Sequence, residues 1–400
     1  MKEIIPAVNG YEEGLEAGRQ VAGTWQPSRL TQPAKWLEAT REAANACGAG
    51  QRPLEQILAD LGRWTRDDLL DYAADMHRRQ MAVFPDLESF PELEGYDRYA
   101  DEYPRGYAEG AGIDIREVHL ERNWKEMYFH ALGGGRLSLH NCSQCYFPDT
   151  PNGPLLGLGR DDIMTWYTDD PFGRSWPGPV QQPVDVDGPI EPKPDFGICM
   201  ATGGGALFEY EEDRGEAIFP APVLALVKRY CESTAEAVEM LIRYNGYWGP
   251  CNAVVGDADG NGALFEKSKY DFAVRTAQGE PLTSTYGGVD DDKLRALCDT
   301  SNPLFEYYER RVGAMRRLLA EGEANGRIDG EVFWQAMLNH EEGGAGCQHR
   351  ETMPDGVELF THVAYYHLPA EKRTFRRMLA SDNGRVLYPC EVPVVEVRDR

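Results

Sequence analysis

Apolar positions recur at helical spacing over the first third of the chain. They give way to short apolar runs between turn signals after three consecutive glycines at 133–135. Residues 1–130 read as mostly helical: Leu54 to Leu61 carries apolar residues at 54, 57, 58 and 61, one helical stripe. Thr65 before Arg66-Asp-Asp-Leu-Leu reads as an N-cap with acids in the first turn, and Gly110-Ala-Gly112 breaks the pattern. Beyond the glycine run, Leu137–Leu139, Cys145–Phe147 and Leu155–Leu158 read as strands, the last two joined by a turn at Pro151-Asn-Gly-Pro154. Residues 169–196, rich in Pro, Gly and Asp, read as a long irregular loop. Two helices are expected over 221–243, the second opened by a capping box at Ser233-Thr-Ala-Glu236. Asn252–Val255 and Ala263–Glu266 form a hairpin around Asp257-Ala-Asp-Gly-Asn-Gly262. Helices follow at 303–320 and 330–339, with strands near 358–366 and 385–397. Strands, then helices, then strands predict layered α+β packing, without an internal repeat.

Length changes this picture little: 400 residues suggest two domains or one large layered one. Charge changes it more. A net charge of −25 repels phosphate backbones and anionic lipid, so nucleic acid is excluded as the expected partner. The chain has no run of 18 or more apolar residues, and Met1 to Gly18 lacks a basic-then-apolar leader pattern. The expectation is a cytoplasmic protein without membrane spans. Nine scattered cysteines, an odd number, predict free thiols in a reducing compartment.

The sharpest chemical feature is His140-Asn141-Cys142-Ser143-Gln144-Cys145. A redox C-x-x-C pair needs the start of a helix, and a hairpin follows instead. Zinc needs a second ligand pair, for which His340, Cys347 and His349 are the candidates at no familiar spacing. A nucleophilic Cys142 needs a base, because a free thiol has a pKa of about 8.5. Cleavage of the Asn141–Cys142 bond supplies one: the freed α-amine, with a pKa of about 7.7, lies within reach of its own thiol. The Asp257 segment has Ser268 where a calcium loop needs Glu, so a β-turn is expected. Glycine motifs at 157–159 and 203–205 lack the remaining residues of dinucleotide or phosphate loops, and no cofactor is expected.

Five segments in order resemble the acyl-coenzyme A:isopenicillin N (6-aminopenicillanate) acyltransferase-like family of cysteine N-terminal-nucleophile hydrolases. They are Gly10 to Gly18; Tyr107 to Ile113 with Glu117 to Asn123; Cys142-Ser143 with Gly153 to Gly157 and Arg160-Asp161; Asn252 to Asp257 with Gly262 and Glu266; and His340 with Cys347-Gln-His349. The resemblance implies a four-layer αββα sandwich with a helical N-terminal segment. It also implies self-cleavage into an α chain, 1–141, and a catalytic β chain, 142–400, which stay associated. By position, Cys142 corresponds to the nucleophile, Asp161 to the residue orienting it and Asn252 to an oxyanion donor. Arg311, or its neighbour Arg310, corresponds to a nearby charge. Trp166, Tyr167, Phe172 and Trp176 are candidates to line a pocket for the acyl group of a small-molecule amide. Asn141 stands where this family usually has glycine, so an uncleaved, inactive member is one alternative. Another is a zinc- or thiol-dependent binding protein using Cys142, Cys145, Cys347 and His349.

Overall fold

The computed structural model describes residues 10–27, 62–83, 96–121, 142–163, 196–202, 231–245, 251–268, 271–285, 289–298, 303–326, 328–341, 346–352, 358–382 and 385–397, with isolated positions between them. The chain forms two compact units. The first comprises Met1–Gly135 with Pro177–Ile190 and Gly215–Pro222; the second holds the rest.

In the first unit the described residues are mostly helical: α1 (Gly10–Val21), α2 (Arg66–Val83), α3 (Tyr96–Ala111) and a further helical stretch, 115–121. Thr65 caps α2 reciprocally with Asp68. Thr65 Oγ1 accepts from the Asp68 N–H at 3.3 Å, and the Asp68 carboxylate accepts from the Thr65 N–H at 2.6 Å. α1 and α3 cross backbone to backbone. A Cβ on Gly14, Gly18, Gly106 or Gly110 would lie 2.0–2.2 Å from a carbonyl oxygen of the facing helix. Those four positions need glycine for want of space. The glycine spacing at 14 and 18, matched by 106 and 110, thus encodes a helix contact.

The second unit is mixed α+β with antiparallel sheets. Its elements run β1 (Ser143–Phe147), β2 (Leu155–Ile163), β3 (Phe196–Thr202), α4 (Thr234–Arg243), β4 (Cys251–Asp257), β5 (Gly262–Lys267), β6 (Phe272–Thr276), β7 (Leu282–Thr285), α5 (Asp292–Arg295), α6 (Pro303–Ala324), α7 (Gly330–Met337), β8 (His349–Thr352), β9 (Glu358–Leu368), β10 (Arg373–Met378), β11 (Ala380–Asp382), β12 (Arg385–Leu387) and β13 (Val395–Val397). One sheet has the order β13-β10-β9-β2-β1-β7 with β8 on β9, and a second has the order β3-β4-β5-β6.

β1 is buried along its whole length, and its two faces serve different layers. Tyr146 packs with Leu156, Leu158, Val254 and Leu264, between the sheets. Cys145 and Phe147 pack with Met315, Leu319, Phe333 and Met337, under α6 and α7. Glycines set the close approaches. A Cβ on Gly157 would meet Phe333 at 2.0 Å, and one on Gly256 or Gly262 would meet the Tyr146 ring at 2.1 or 2.2 Å. α4 is tied to the β4–β5 turn by Thr234 N–H donating to Asp257 Oδ2 at 3.0 Å and Thr234 Oγ1 donating to Asn261 O at 2.9 Å. Asp257 Oδ1 also accepts from the N–H groups of Asp259 and Asn261, each at 3.1 Å, so this acidic loop is a side-chain-stapled β-turn.

Most expected elements within the described residues form, with two kinds of difference. The pattern predicts no strand at β3, β6, β7, β8, β10 or β11: β6 and β10 are partly exposed and charged, β7 is the short, polar Leu-Thr-Ser-Thr, and β8 and β11 span only four and three residues. The expected strand 385–397 is two strands, interrupted by Pro389 and Pro393, with Glu391 N–H donating to Tyr388 O at 2.8 Å in the intervening turn. The predicted strand 137–139, most of the Leu54–Leu61 stripe, nearly all of the first predicted helix over 221–243 and nearly all of the predicted loop 169–196 lie outside the described residues. Among the described residues no helix is long and apolar enough to cross a membrane.

Candidate functional site

Cys142, buried to 3% exposure, immediately precedes β1. Ser143 pairs with Gly159 on one side and with Thr285 on the other. One further step of the β1–β2 register brings residue 142 opposite Arg160, next to Asp161. Cys142 belongs to the apolar cluster between the sheets. Asn141, and with it the predicted scissile bond, lies outside the described residues, as do Trp166, Tyr167, Phe172 and Trp176.

Asp161 and Arg311 form an ion pair, Arg311 Nη1 to Asp161 Oδ2 at 2.6 Å, with both side chains at 0% exposure. Alternation along β2 explains the position of Asp161. Gly157 and Gly159 lie on the face toward α7, and residue 161 follows in the same phase. On α6, Arg311 shares a stripe with Tyr308, Met315 and Leu319, all core residues, whereas Arg310 is off that stripe and pairs at the surface with Glu306. The spacing 308, 311, 315, 319 is therefore the sequence signal that separates the two arginines. Burial acts to lower the Arg311 pKa, but the adjacent Asp161 charge outweighs it and holds the pKa above the ordinary guanidinium range.

The pair is held by groups that the sequence reading did not single out. Thr361 Oγ1, on β9, donates to Asp161 Oδ1 at 2.5 Å and accepts from the Gln348 N–H at 2.7 Å. Arg311 Nη2 donates to Gly346 O at 3.0 Å. Gln348 Nε2 in turn donates to the Tyr307 hydroxyl. Asp161 Oδ1 and Arg311 Nη2 are thus engaged, as a desolvated ion pair requires, while Arg311 Nε has no hydrogen-bond partner among the described residues.

Asn252, 1% exposed on β4, lies in phase with Val254 and so on the same inter-sheet layer as Cys142. Its Nδ2 donates to Thr285 O at 2.9 Å, and its backbone carbonyl oxygen accepts from Gln144 Nε2 at 2.9 Å, stitching β4 to β7 and β1. Its register partner, Glu266, accepts N–H bonds from Asp290 and Asp291 at 2.8 and 3.1 Å. Burial pushes the Glu266 carboxyl up to about 7 despite those bonds, which places its titration near neutrality. The hydroxyls of Ser143 and Thr285, buried on paired positions, have no hydrogen-bond partner among the described residues. The described geometry thus joins Asp161 to Arg311 on the helix side of the sheet and sets Cys142 and Asn252 on the inter-sheet side.

A second group of chemical side chains lies where α7, β8 and the β12–β13 turn converge. The ligand atoms of His340, Cys347, His349 and Cys390 lie within 4.8 Å of one another. Hydrogen bonding from Cys347, and then from His349, pushes the Cys390 thiol down to about 5, while the donating Cys347 is raised. This corrects the predicted zinc or thiol set of Cys142, Cys145, Cys347 and His349. Cys142 and Cys145, three apart on extended chain, point to opposite faces and join different clusters. Among the described residues, the partners of Cys347 and His349 are His340 and Cys390. Cys390 was missed because it is remote in sequence from the others and has no neighbouring ligand to signal it.

No protein-family model matches this sequence, and no curated protein matches it. Among solved structures, a mutant of the conjugated bile acid hydrolase from Clostridium perfringens is similar, with a TM-score of 0.34 and 11% sequence identity over 65% of this chain and 89% of that one.

Proposed function

We propose that this protein is a cysteine N-terminal-nucleophile amidohydrolase that releases the Cys142 amine by cutting its own chain and then hydrolyses a small, non-peptide amide. The observation that carries this reading is the buried Cys142 on the same inter-sheet layer as the buried Asn252, with the fully buried Asp161–Arg311 pair on the other face of the adjoining strand. A buried ion pair is weak evidence of stabilisation, since apolar residues of similar size serve a core as well or better. A fixed charge pair on the opposite face of the strand adjoining the nucleophile holds that strand end in place, which a positioned nucleophile requires. The stacking of α6 and α7 on one face of the larger sheet, with the second sheet on its other face and α4 against β4 and β5, also supports an αββα sandwich.

In the maturation step, the Cys142 thiol attacks the carbonyl carbon of Asn141, the C–N bond breaks, and the Cys142 nitrogen leaves as an amine with a proton. Water then hydrolyses the resulting thioester, leaving a carboxylate on Asn141. In turnover, that amine takes the thiol proton and the thiolate attacks the substrate carbonyl. The Asn252 amide serves as an oxyanion donor, worth about 3–4 kcal/mol per donor in well-studied cases. The leaving amine takes the proton, and water cleaves the acyl thioester. The Asp161–Arg311 pair fixes the end of β2 that lies alongside the nucleophile, and Trp166, Tyr167, Phe172 and Trp176 contribute the acyl pocket. The two products of cleavage remain one assembly.

Denaturing mass spectrometry tests the first step: fragments meeting at 141/142 are expected, and Cys142→Ala should remain a single 44.8 kDa chain. Screening acyl-amine conjugates for amine release tests the second. Active protein with an intact Asn141–Cys142 bond refutes the mechanism.

A further inference from the structure

We propose that His340, Cys347, His349 and Cys390 form a structural zinc site. Two observations carry it. First, His349 Nε2 is 3.2 Å from His340 Nε2 and 3.0 Å from Cys390 Sγ. An imidazole nitrogen has a single in-plane lone pair or proton, so one hydrogen bond cannot serve both neighbours. A cation at their common centre engages both at once. Second, the spacings are those of a tetrahedron. Zn–N bonds of about 2.0–2.1 Å and Zn–S bonds of about 2.3 Å place two nitrogens about 3.3 Å apart and a nitrogen and sulfur about 3.5 Å apart. Shifts of a few tenths of an ångström bring the observed contacts to those values, and all four ligand atoms already lie within 4.8 Å of one another.

The chemistry of the set agrees. Two thiolates, two neutral imidazoles and one divalent cation sum to zero charge, which suits a site whose Cys347 is fully buried and whose His349 and Cys390 are half-buried. Two sulfurs and two nitrogens select zinc over calcium or magnesium. Four protein ligands leave no open position for water, so the site is structural rather than hydrolytic. An outer shell is present as well. Tyr388 stacks on the His349 ring at 4.0 Å between centroids and 8° between planes. Glu391 accepts from the Tyr388 N–H at 3.0 Å and from Arg385 at 2.5 Å, bracing the turn that delivers Cys390. Asn339 O accepts from the N–H groups of Gly346 and Cys347 at 2.9 and 3.0 Å, fixing the approach of the Cys347 ligand to the end of α7. The effect is to clip the β12–β13 turn onto the α7–β8 corner.

The test uses the full-length protein, made in zinc-supplemented medium and purified under reducing conditions. Elemental analysis should find one zinc per chain. Cobalt replacement should give thiolate-to-metal charge-transfer bands with the d–d bands of tetrahedral Co(II). Cys347→Ser and Cys390→Ser should each lower bound zinc at least tenfold, and Cys298→Ser, at a thiol outside the cluster, should leave it unchanged. Less than a tenth of an equivalent of zinc in the wild-type protein, with no cobalt–thiolate band, overturns the proposal without relying on any variant folding. Neither readout depends on amidase activity or on chain cleavage.

Discussion

Asp161→Asn is the most informative single change, because it keeps the shape of the side chain and removes only its charge. In the native protein the carboxylate faces Arg311 Nη1 at 2.6 Å and Thr361 Oγ1 at 2.5 Å, and neither charged side chain has solvent exposure. An asparagine at this position either turns its NH2 toward the guanidinium, donor against donor, or flips and turns it toward Thr361. The flip can be accommodated, since Thr361 Oγ1 can direct its own proton to Gly346 O, 3.5 Å away. No flip restores the missing charge, and a guanidinium remains buried without a counterion. Breaking a buried pair from one side costs about 3–5 kcal/mol. At about 2–4 °C per kcal/mol for a unit of this size, the melting temperature falls by about 6–20 °C.

The double variant Asp161→Asn/Arg311→Met removes the orphaned charge and should recover most of that loss, ending within about 2 kcal/mol of wild type, because replacing both partners of a buried pair is close to neutral. Urea unfolding followed by tryptophan fluorescence, on wild type, both single variants and the double, measures the coupling as a mutant cycle. Denaturing mass spectrometry of the same samples separates stability from function. The double variant should be stable and yet uncleaved at 141/142. Single variants within 1 kcal/mol of wild type, or a double variant that loses the sum of the two single losses, would refute the electrostatic reasoning.

Three further outcomes are expected. Gly110→Val forces a Cβ to 2.2 Å from Leu15 O, so α1 and α3 must separate; circular dichroism melting should show the loss, and an unchanged melting curve would contradict the close crossing. Gly262→Ala, whose Cβ would meet the Tyr146 ring at 2.2 Å, should cost about 1–3 kcal/mol by overpacking, more than Tyr146→Phe, which loses only the 3.1 Å bond to Asp257 O, worth about 1 kcal/mol. For Glu266, the folded carboxyl has the higher pKa, so the stability it contributes is complete below its ordinary value of 4.5 and is lost as pH rises through about 7. That loss is about 3 kcal/mol, and Glu266→Gln should flatten urea stability between pH 5 and 8; a wild-type-minus-variant difference that is equal at both pH values would count against it.

Much of the second unit was legible because its strands and helices carry clear periods. The β1–β2 and β4–β5 hairpins follow from turn residues between apolar runs, and α6 from its stripe. The same periods, read more closely, also separate neighbours. Period two places Asp161 in phase with the glycines that receive α7, and a three-or-four spacing puts Arg311, not Arg310, on the core face. Thr361 and Gln348 were not legible, since a threonine in a mixed strand and a glutamine between Cys347 and His349 acquire their roles only when β8 and β9 pair. Cys390 was hidden for the same reason: its partners come from a different corner of the fold. Polar contacts between distant segments leave no local period in the sequence.

The short segment 346–349 links the two chemical centres. Gly346 and Gln348 serve the ion pair, one through its carbonyl to Arg311 and the other through its N–H to Thr361. Cys347 and His349, alternating with them, serve the four-residue cluster. A cation that fixes Cys347 and His349 therefore also fixes the backbone that satisfies Arg311 and Asp161. The dependence runs in that direction because the ion pair has no slack: both charges are fully buried, so a displaced Gly346 carbonyl leaves a guanidinium N–H without an acceptor in a place water does not reach. The cluster, by contrast, has His340 at the surface and can open without desolvating a charge. Loss of the clip should accordingly register first at the Asp161–Arg311 pair rather than in the apolar layers on either side of β1.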